Sequence, residues 1–449
     1  MRAHWGVLDE LDSVPSYDRF ATVDEVHGRL AALAEAHPDI ATLRRVGTSR
    51  LGDPLMCLTV GDAPRHAIVA AGPHPNEPIG GLTVTHLAAR LCADAGLRRA
   101  TGYTWHLVGC LDPDGTRLNE GWFAGPFTRS HYAAHFYRPA PDEQVEWTFP
   151  FAYKRCYFDR VLPETQALMR LIDDVRPAFF STLHNGESGG VFYYLNRPVP
   201  ALHAVLAELP GRYGVPLHAG EPEHPAVRSF EQAIYQAPTM EDAYDYMEAN
   251  GQDPVPHIGG AASDSYIKKY GTLGLTAEIP YWTDPSAGDT SPAGRSYREL
   301  IGEHAERVRE THDVLGTTLS AVASDLVTRS PFLRASRAFI PMLAGTAETD
   351  ALRAADPASD RPATVAEESS CRDGLSSARL RFGGILLRAL AGELAIGNGT
   401  PAIRAAHGRL AELHAQWCAE SDRVPARVIP IHDLVAIQYG AVLAGAAHA

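Results

Sequence analysis

His74-Pro75-Asn76-Glu77 sets an imidazole and a carboxylate three residues apart, directly after the apolar run His66 to Gly72. One turn of chain at that spacing can bring both groups onto one cation, and zinc accepts histidine nitrogen and carboxylate oxygen. In a chain with 20 histidines the same pattern also arises from a surface histidine followed by a glutamate that favours a helix start. A catalytic zinc needs a third protein ligand and an open coordination position. His184 closes the run Ser181-Thr182-Leu183-His184, just before Asn185-Gly186, and is the candidate. A packed polar residue capping a sheet is the alternative reading. Glu278 lies between Ala277 and Ile279 in the apolar run Thr272 to Ile279. A carboxylate in such company is costly unless paired or functional, and there it could act as the general base on attacking water. An edge strand with Glu278 facing solvent is the bland version. A developing oxyanion also needs positive charge. The turn Asp112-Pro113-Asp114-Gly115-Thr116-Arg117-Leu118-Asn119 offers Arg117, whose permanent charge and planar fork suit oxygen pairs. A solvated loop arginine is the plain reading of the same feature.

The elements that must position these groups are legible from periodicity. Val26, Leu30 and Leu33 mark a helix over 23–34 that stops before His37-Pro38. Strand-like runs follow at 41–46 and 54–60, joined at Gly52-Asp53, then at 66–72, 103–109, 178–183 and 272–279. Helices are expected over 79–95 and 164–175. Strands alternating with helices predict an α/β domain with a mixed, mostly parallel central sheet flanked by helices. Chemistry gathers at the carboxyl ends of such strands, which is where His74, Glu77, the 112–119 turn and His184 all fall.

Beyond about residue 300 helical patterns dominate, at 296–322, 380–395 and 401–418. The expected organisation is a catalytic domain over 1–310 and a helical C-terminal appendage over 311–449. The polar stretch at about 346–373, rich in Ala, Asp, Ser, Thr and Glu, reads as a linker or insertion.

Composition narrows the partners. The 54 acidic residues outnumber the 40 basic ones, for a formal charge of −14, and a surface of that sign repels phosphate backbones, so nucleic acid is not expected. The first residues carry Glu10 and Asp12 without an apolar core of signal-peptide length. The apolar stretch 434–447 is short for a span and is broken by Gln438 and Gly440. Six scattered cysteines form no CxxC pair, which fits reduced thiols. A cytoplasmic protein acting off the membrane is the expectation.

Taken together, these motifs resemble the zinc carboxypeptidase family, from about Tyr17 to about residue 310. The helix ending near Ala36-His37-Pro38, followed by Val46-Gly47-Thr48-Ser49 and Gly52-Asp53-Pro54, is similar to the family's opening helix and hairpin. His74-Pro75-Asn76-Glu77 matches its HxxE zinc motif, and Asp112-Pro113-Asp114-Gly115 its Asn-Pro-Asp-Gly turn. His184 stands where the third ligand is expected, and Glu278 where the catalytic glutamate is expected. The resemblance implies Zn2+ held by His74, Glu77 and His184, with Glu278 and Arg117 catalytic. Three departures stand out. Asp112 replaces the usual Asn, and no clean Asn-Arg pair grips a substrate carboxylate. Arg138, ahead of Arg129, is the candidate for that role, with Asn119 beside the same region. The family's catalytic-loop tyrosine is not evident before Gly259-Gly260, leaving Tyr266 or His257 as substitutes.

The departures lie in substrate recognition and spare the metal, so hydrolysis of an amide in a small peptide or amino-acid conjugate is the expected activity. An N-acyl amino acid deacylase, of the desuccinylase or aspartoacylase kind, shares the same metal logic. A non-catalytic binding protein would be marked by loss of a ligand or of the base, and all four groups are present. A structural zinc is usually closed by four ligands rich in cysteine, and no cysteine falls within these motifs.

Overall fold

The computed structural model describes residues 6–223, 225, 227–255 and 258–449. Among them a nine-stranded sheet forms the centre. Its strands are β1 (Ala41–Thr48), β2 (Pro54–Val60), β3 (Arg65–Ala71), β4 (Tyr103–Val108), β5 (Phe179–His184), β6 (Phe192–Leu195), β7 (Ser229–Glu231), β8 (Ile234–Gln236) and β9 (Leu273–Glu278). Their order is β1-β2-β4-β3-β5-β9-β6-β8-β7. The inner strands β4, β3, β5 and β9 run parallel, whereas β1–β2, β2–β4, β9–β6 and β8–β7 are antiparallel. The sheet is thus mixed as expected. Its parallel character is confined to the centre and to the β6–β8 pair.

Both faces of the inner strands are covered, which is why they read as continuous apolar runs. Along β3 the side chains alternate: Ala67, Val69 and Ala71 enter one core, Ile68 and Ala70 the other. The first core is closed by α1 (Val23–Ala36) and α2 (Ile79–Ala93), the second by α3 (Pro163–Val175) through Leu168, Leu171 and Ile172. Helix α1 starts at a capping box, Thr22 with Glu25, and α3 at a proline in its first turn.

The C-terminal region is helical, as expected. The proposed boundary at 310 falls inside one continuous helix, α4 (Tyr297–Ser320). The stretch expected to be a linker is the end of α5 (Pro331–Ala355), a short strand Pro362–Thr364 paired with Pro292–Ser296, and the start of α6 (Val365–Ala395). Its buried positions are small or polar, such as Ala347, Asp350, Ser369 and Asp373, so no apolar stripe advertises the helix. Alanine, glutamate and arginine nevertheless favour one, and Thr364 with Glu367 caps it. Helices α4 to α6 and α7 (Pro401–Asp422) build their own small core around Val308, Leu315, Ile340, Leu386 and Trp417. The last helix, α8 (Ile431–His448), instead returns to the main core beside α2. Among the described residues no helix is long and apolar enough to cross a membrane.

Candidate metal centre

Strand register assembles the site. In the parallel β5–β9 pair Glu278 lies opposite His184, and in β3–β5 Ala71 lies opposite Leu183. The carboxyl ends of three adjacent strands therefore finish level, and His74 follows three residues after β3. The loop that carries His74 is braced by the 112–119 turn. Asp112, wholly buried, accepts a hydrogen bond from the Gly115 amide at 2.9 Å. Gly115 passes so close that a Cβ there would meet Pro75 Cβ at 2.8 Å, so the turn requires glycine. Burial lifts the Asp112 carboxyl to about 7, against the pull of Arg50.

Three ligand-type atoms converge. His74 Nδ1 lies 3.1 Å from Glu77 Oε1 and 3.1 Å from His184 Nδ1, and His184 Nδ1 lies 3.2 Å from Glu77 Oε2. All three residues are buried and form a group capable of holding a metal ion. Two imidazole nitrogens aimed at each other beside a carboxylate need a proton or a cation between them. Two nitrogens and one carboxylate oxygen, with no thiolate, form a donor set that fits zinc. The protonation tendencies agree. Burial, aided by the Arg138 charge, holds His74 down to about 3. Burial also works against a charged His184, but hydrogen bonding and the charge of Glu77 outweigh it and raise His184 to about 9.

Around these atoms the neighbours divide into holders and actors. Thr182 Oγ1 meets His184 Nε2 at 3.1 Å, fixing the ring from the side away from the donor cluster. The His184 carbonyl accepts from Gln438 Nε2 at 2.9 Å, and Gln438 Oε1 accepts from Thr83 at 2.7 Å. The C-terminal helix α8 therefore ties down the end of β5 that carries His184. Glu278 approaches His184 Nδ1 to 3.8 Å. Its carboxyl is pushed well above the ordinary range by burial and by the charge of Glu223.

The sequence-derived candidates separate here. Arg138 reaches the cluster, with Nη1 3.4 Å from Glu77 Oε1 and Nε 3.1 Å from Gln144 Oε1. Arg117 does not join it: its guanidinium is taken by Asp53 at 2.7 Å and Asp24 at 2.7 Å. Asn119 is wholly buried and holds Tyr137 from both sides. It accepts from the Tyr137 amide at 2.9 Å and donates to the Tyr137 carbonyl at 2.8 Å. It thereby places the neighbouring Arg138. Asn119→Ala is expected to cost about 1–3 kcal/mol by leaving buried backbone groups unpaired. A urea unfolding midpoint equal to wild type would exclude that role. Arg129 is buried against Ser188 at 3.3 Å and Asp373 at 3.7 Å. Tyr266 donates to Asp173 on α3 at 2.7 Å, and His257 lies outside the described residues. Sequence reasoning does not reach Gln144 or Gln438. The one signal is Gln438 itself, a lone amide within an apolar helix.

The family model for zinc carboxypeptidases matches residues 26–278, more than half of the chain. The chain is similar to a metallo-carboxypeptidase from Burkholderia cenocepacia at 20% identity, over 58% of this chain and 60% of that one, with a TM-score of 0.37. The match thus spans less than two thirds of that relative. A carboxypeptidase A from Helicoverpa armigera is similar at 13% identity, over 76% of this chain and 74% of that one, with a TM-score of 0.39. No curated protein matches the chain. The family-model match, over a stretch that contains His74, Glu77, His184 and Glu278, assigns this chain to the zinc carboxypeptidase family, whose cofactor is Zn2+.

Proposed function

We propose that this protein hydrolyses an amide bond in a short peptide or small amino-acid conjugate, with His74, Glu77 and His184 as the zinc ligands. The observation that carries this reading is the buried convergence of those three donor groups, with Glu278 alongside on the adjoining strand. Zinc held there would supply Lewis acidity toward the scissile carbonyl and the attacking water. Glu278 takes the proton from the attacking water and passes it to the departing nitrogen. Arg138 supplies the fixed positive charge that the developing oxyanion requires, a role the ion pairs of Arg117 with Asp24 and Asp53 leave open. Thr182 and Gln438 keep His184 in its orientation. The six cysteines are all free, which suits a reducing compartment such as the cytoplasm.

The test is metal content and turnover on a panel of dipeptides, N-acyl amino acids and N-acetyl peptides. Wild type is expected to bind one zinc and cleave a member of the panel, and chelation to abolish cleavage. Removing one of three protein ligands should be severe, so His184→Ala is expected to lose zinc on dialysis, read by elemental analysis. A His184→Ala protein that keeps stoichiometric zinc and full activity would sink the ligand assignment.

A further inference from the structure

A second cleft, separate from the metal centre, opens between α4, α6 and α7, with a volume of about 410 Å3. None of its lining residues is a metal ligand or neighbours Glu278. Its walls combine an apolar floor, including Leu375 and Trp417, with four arginines (Arg295, Arg307, Arg372 and Arg379) against three glutamates. Three of the arginines are already committed: Arg295 and Arg307 share Glu303 at 2.9 Å and 2.7 Å, and Arg372 pairs with Asp373 at 3.3 Å.

Arg379 is different. Among the described residues it has no carboxylate ion-pair partner. Its Nε donates to the Thr311 hydroxyl at 3.2 Å, and its guanidinium lies 5.6 Å from the centre of the Trp417 ring. The group is half-buried, and that burial draws its pKa below the ordinary arginine value. Glu420, on the cleft wall, and Glu310 act on it only from beyond ion-pair distance, so the partly desolvated guanidinium holds no carboxylate directly, and an anion seated on it would gain charge-assisted hydrogen bonds. His304 also lines the cleft. Its Nδ1 is held by Asp350 at 2.9 Å, and its buried Nε2 has no hydrogen-bond partner among the described residues. The cavity falls within the range of about 300–1,000 Å3 that suits small ligands.

We propose that this cleft binds a small organic anion with an aryl or other apolar body, its carboxylate or phosphate on Arg379 and its body against Trp417 and Leu375. Carboxylate and phosphate share the charge and oxygen geometry that a guanidinium recognises. The proposal does not depend on the catalytic reading, because the cleft shares no residue with the metal centre.

Isothermal titration of the full-length, zinc-loaded protein with phenylacetate, phenyl phosphate and the neutral benzyl alcohol tests it. At least one anion is expected to bind, and benzyl alcohol at least about tenfold more weakly, a gap of about 1.4 kcal/mol. Which anion binds identifies the head group. Arg379→Gln is expected to weaken that binding at least about tenfold, while Arg138→Gln, which alters the metal centre, leaves it unchanged. Ser376→Phe fills the cleft from a partly exposed position and is expected to block binding even if Arg379→Gln folds poorly. No anion binding up to about 10 mM would overturn the proposal. So would binding that survives Ser376→Phe, or binding that is lost in Arg138→Gln but kept in folded Arg379→Gln.

Discussion

Glu278→Gln is expected to keep its zinc and lose about 10²–10⁴-fold in kcat, the usual contribution of a positioned general base. The substitution keeps the shape of a residue that is 8% exposed but removes the basic oxygen. Glu278 is not in the three-residue ligand group, so metal content should stay near one per chain. KM should change less than kcat, because the lost proton transfer belongs to the transition state and not to substrate binding. Stopped-time hydrolysis assays with parallel metal analysis separate the cases. Wild-type turnover in a zinc-loaded Glu278→Gln protein would remove this residue from the mechanism. Loss of zinc together with activity would instead make Glu278 part of the metal's own holding.

The second large effect concerns α8. Removing the chain from Pro430 onward is expected to leave no cooperatively folded protein. The helix buries 14 of its 18 residues and completes the core that also contains β3, β5, β9 and α2. Each buried aliphatic or aromatic side chain lost there is worth about 1.5–3 kcal/mol, and a domain's whole stability is about 5–15 kcal/mol. Two point variants test the same packing more gently. A Cβ at Gly445 would meet Phe179 at 2.6 Å and Leu275 at 2.8 Å, side chains on the sheet beneath, so Gly445→Leu is expected to cost about 1–3 kcal/mol through overpacking. Gln438→Leu leaves the His184 carbonyl and the Thr83 hydroxyl unpaired, a cost of about 1–3 kcal/mol, and should also weaken zinc retention. A truncated protein with a sharp thermal transition and intact near-UV dichroism would show that α8 is dispensable.

This tie between α8 and His184 also changes how the C-terminal region is understood. In sequence, the apolar segment 434–447 reads as too short for a membrane span and broken by Gln438 and Gly440. In the fold Gln438 is the residue that reaches the His184 carbonyl. At Gly440 the side chains of Leu11 and Leu209 come so close that a Cβ there would meet each of them at 2.9 Å.

What the sequence by itself determined is the local part. The buried inner strands, helices α1 to α3 and the placing of His74, Glu77 and His184 at strand ends follow from periodicity, caps and prolines that act within a few residues. His74 and Glu77 are legible as a pair because three residues of chain already hold them together. Only the tertiary structure decided the rest. The register of β5 against β9 brings Glu278 opposite His184 across 94 residues of chain, as in the Ser181-to-Leu275 hydrogen bond beside it. The role of each arginine was equally non-local: Arg117 looks free within its own turn, yet Asp24 and Asp53 claim it from 93 and 64 residues away. Asn119 looks like a polar loop residue and is an internal strut, because the backbone it satisfies belongs to Tyr137. The two ends of the polar stretch at 346–373 are helical because their buried faces pack small and paired polar groups, where no apolar stripe marks the period. Charge and hydrogen-bond partners are chosen by whatever the folded chain brings within a few ångströms, and distance along the sequence carries no information about that.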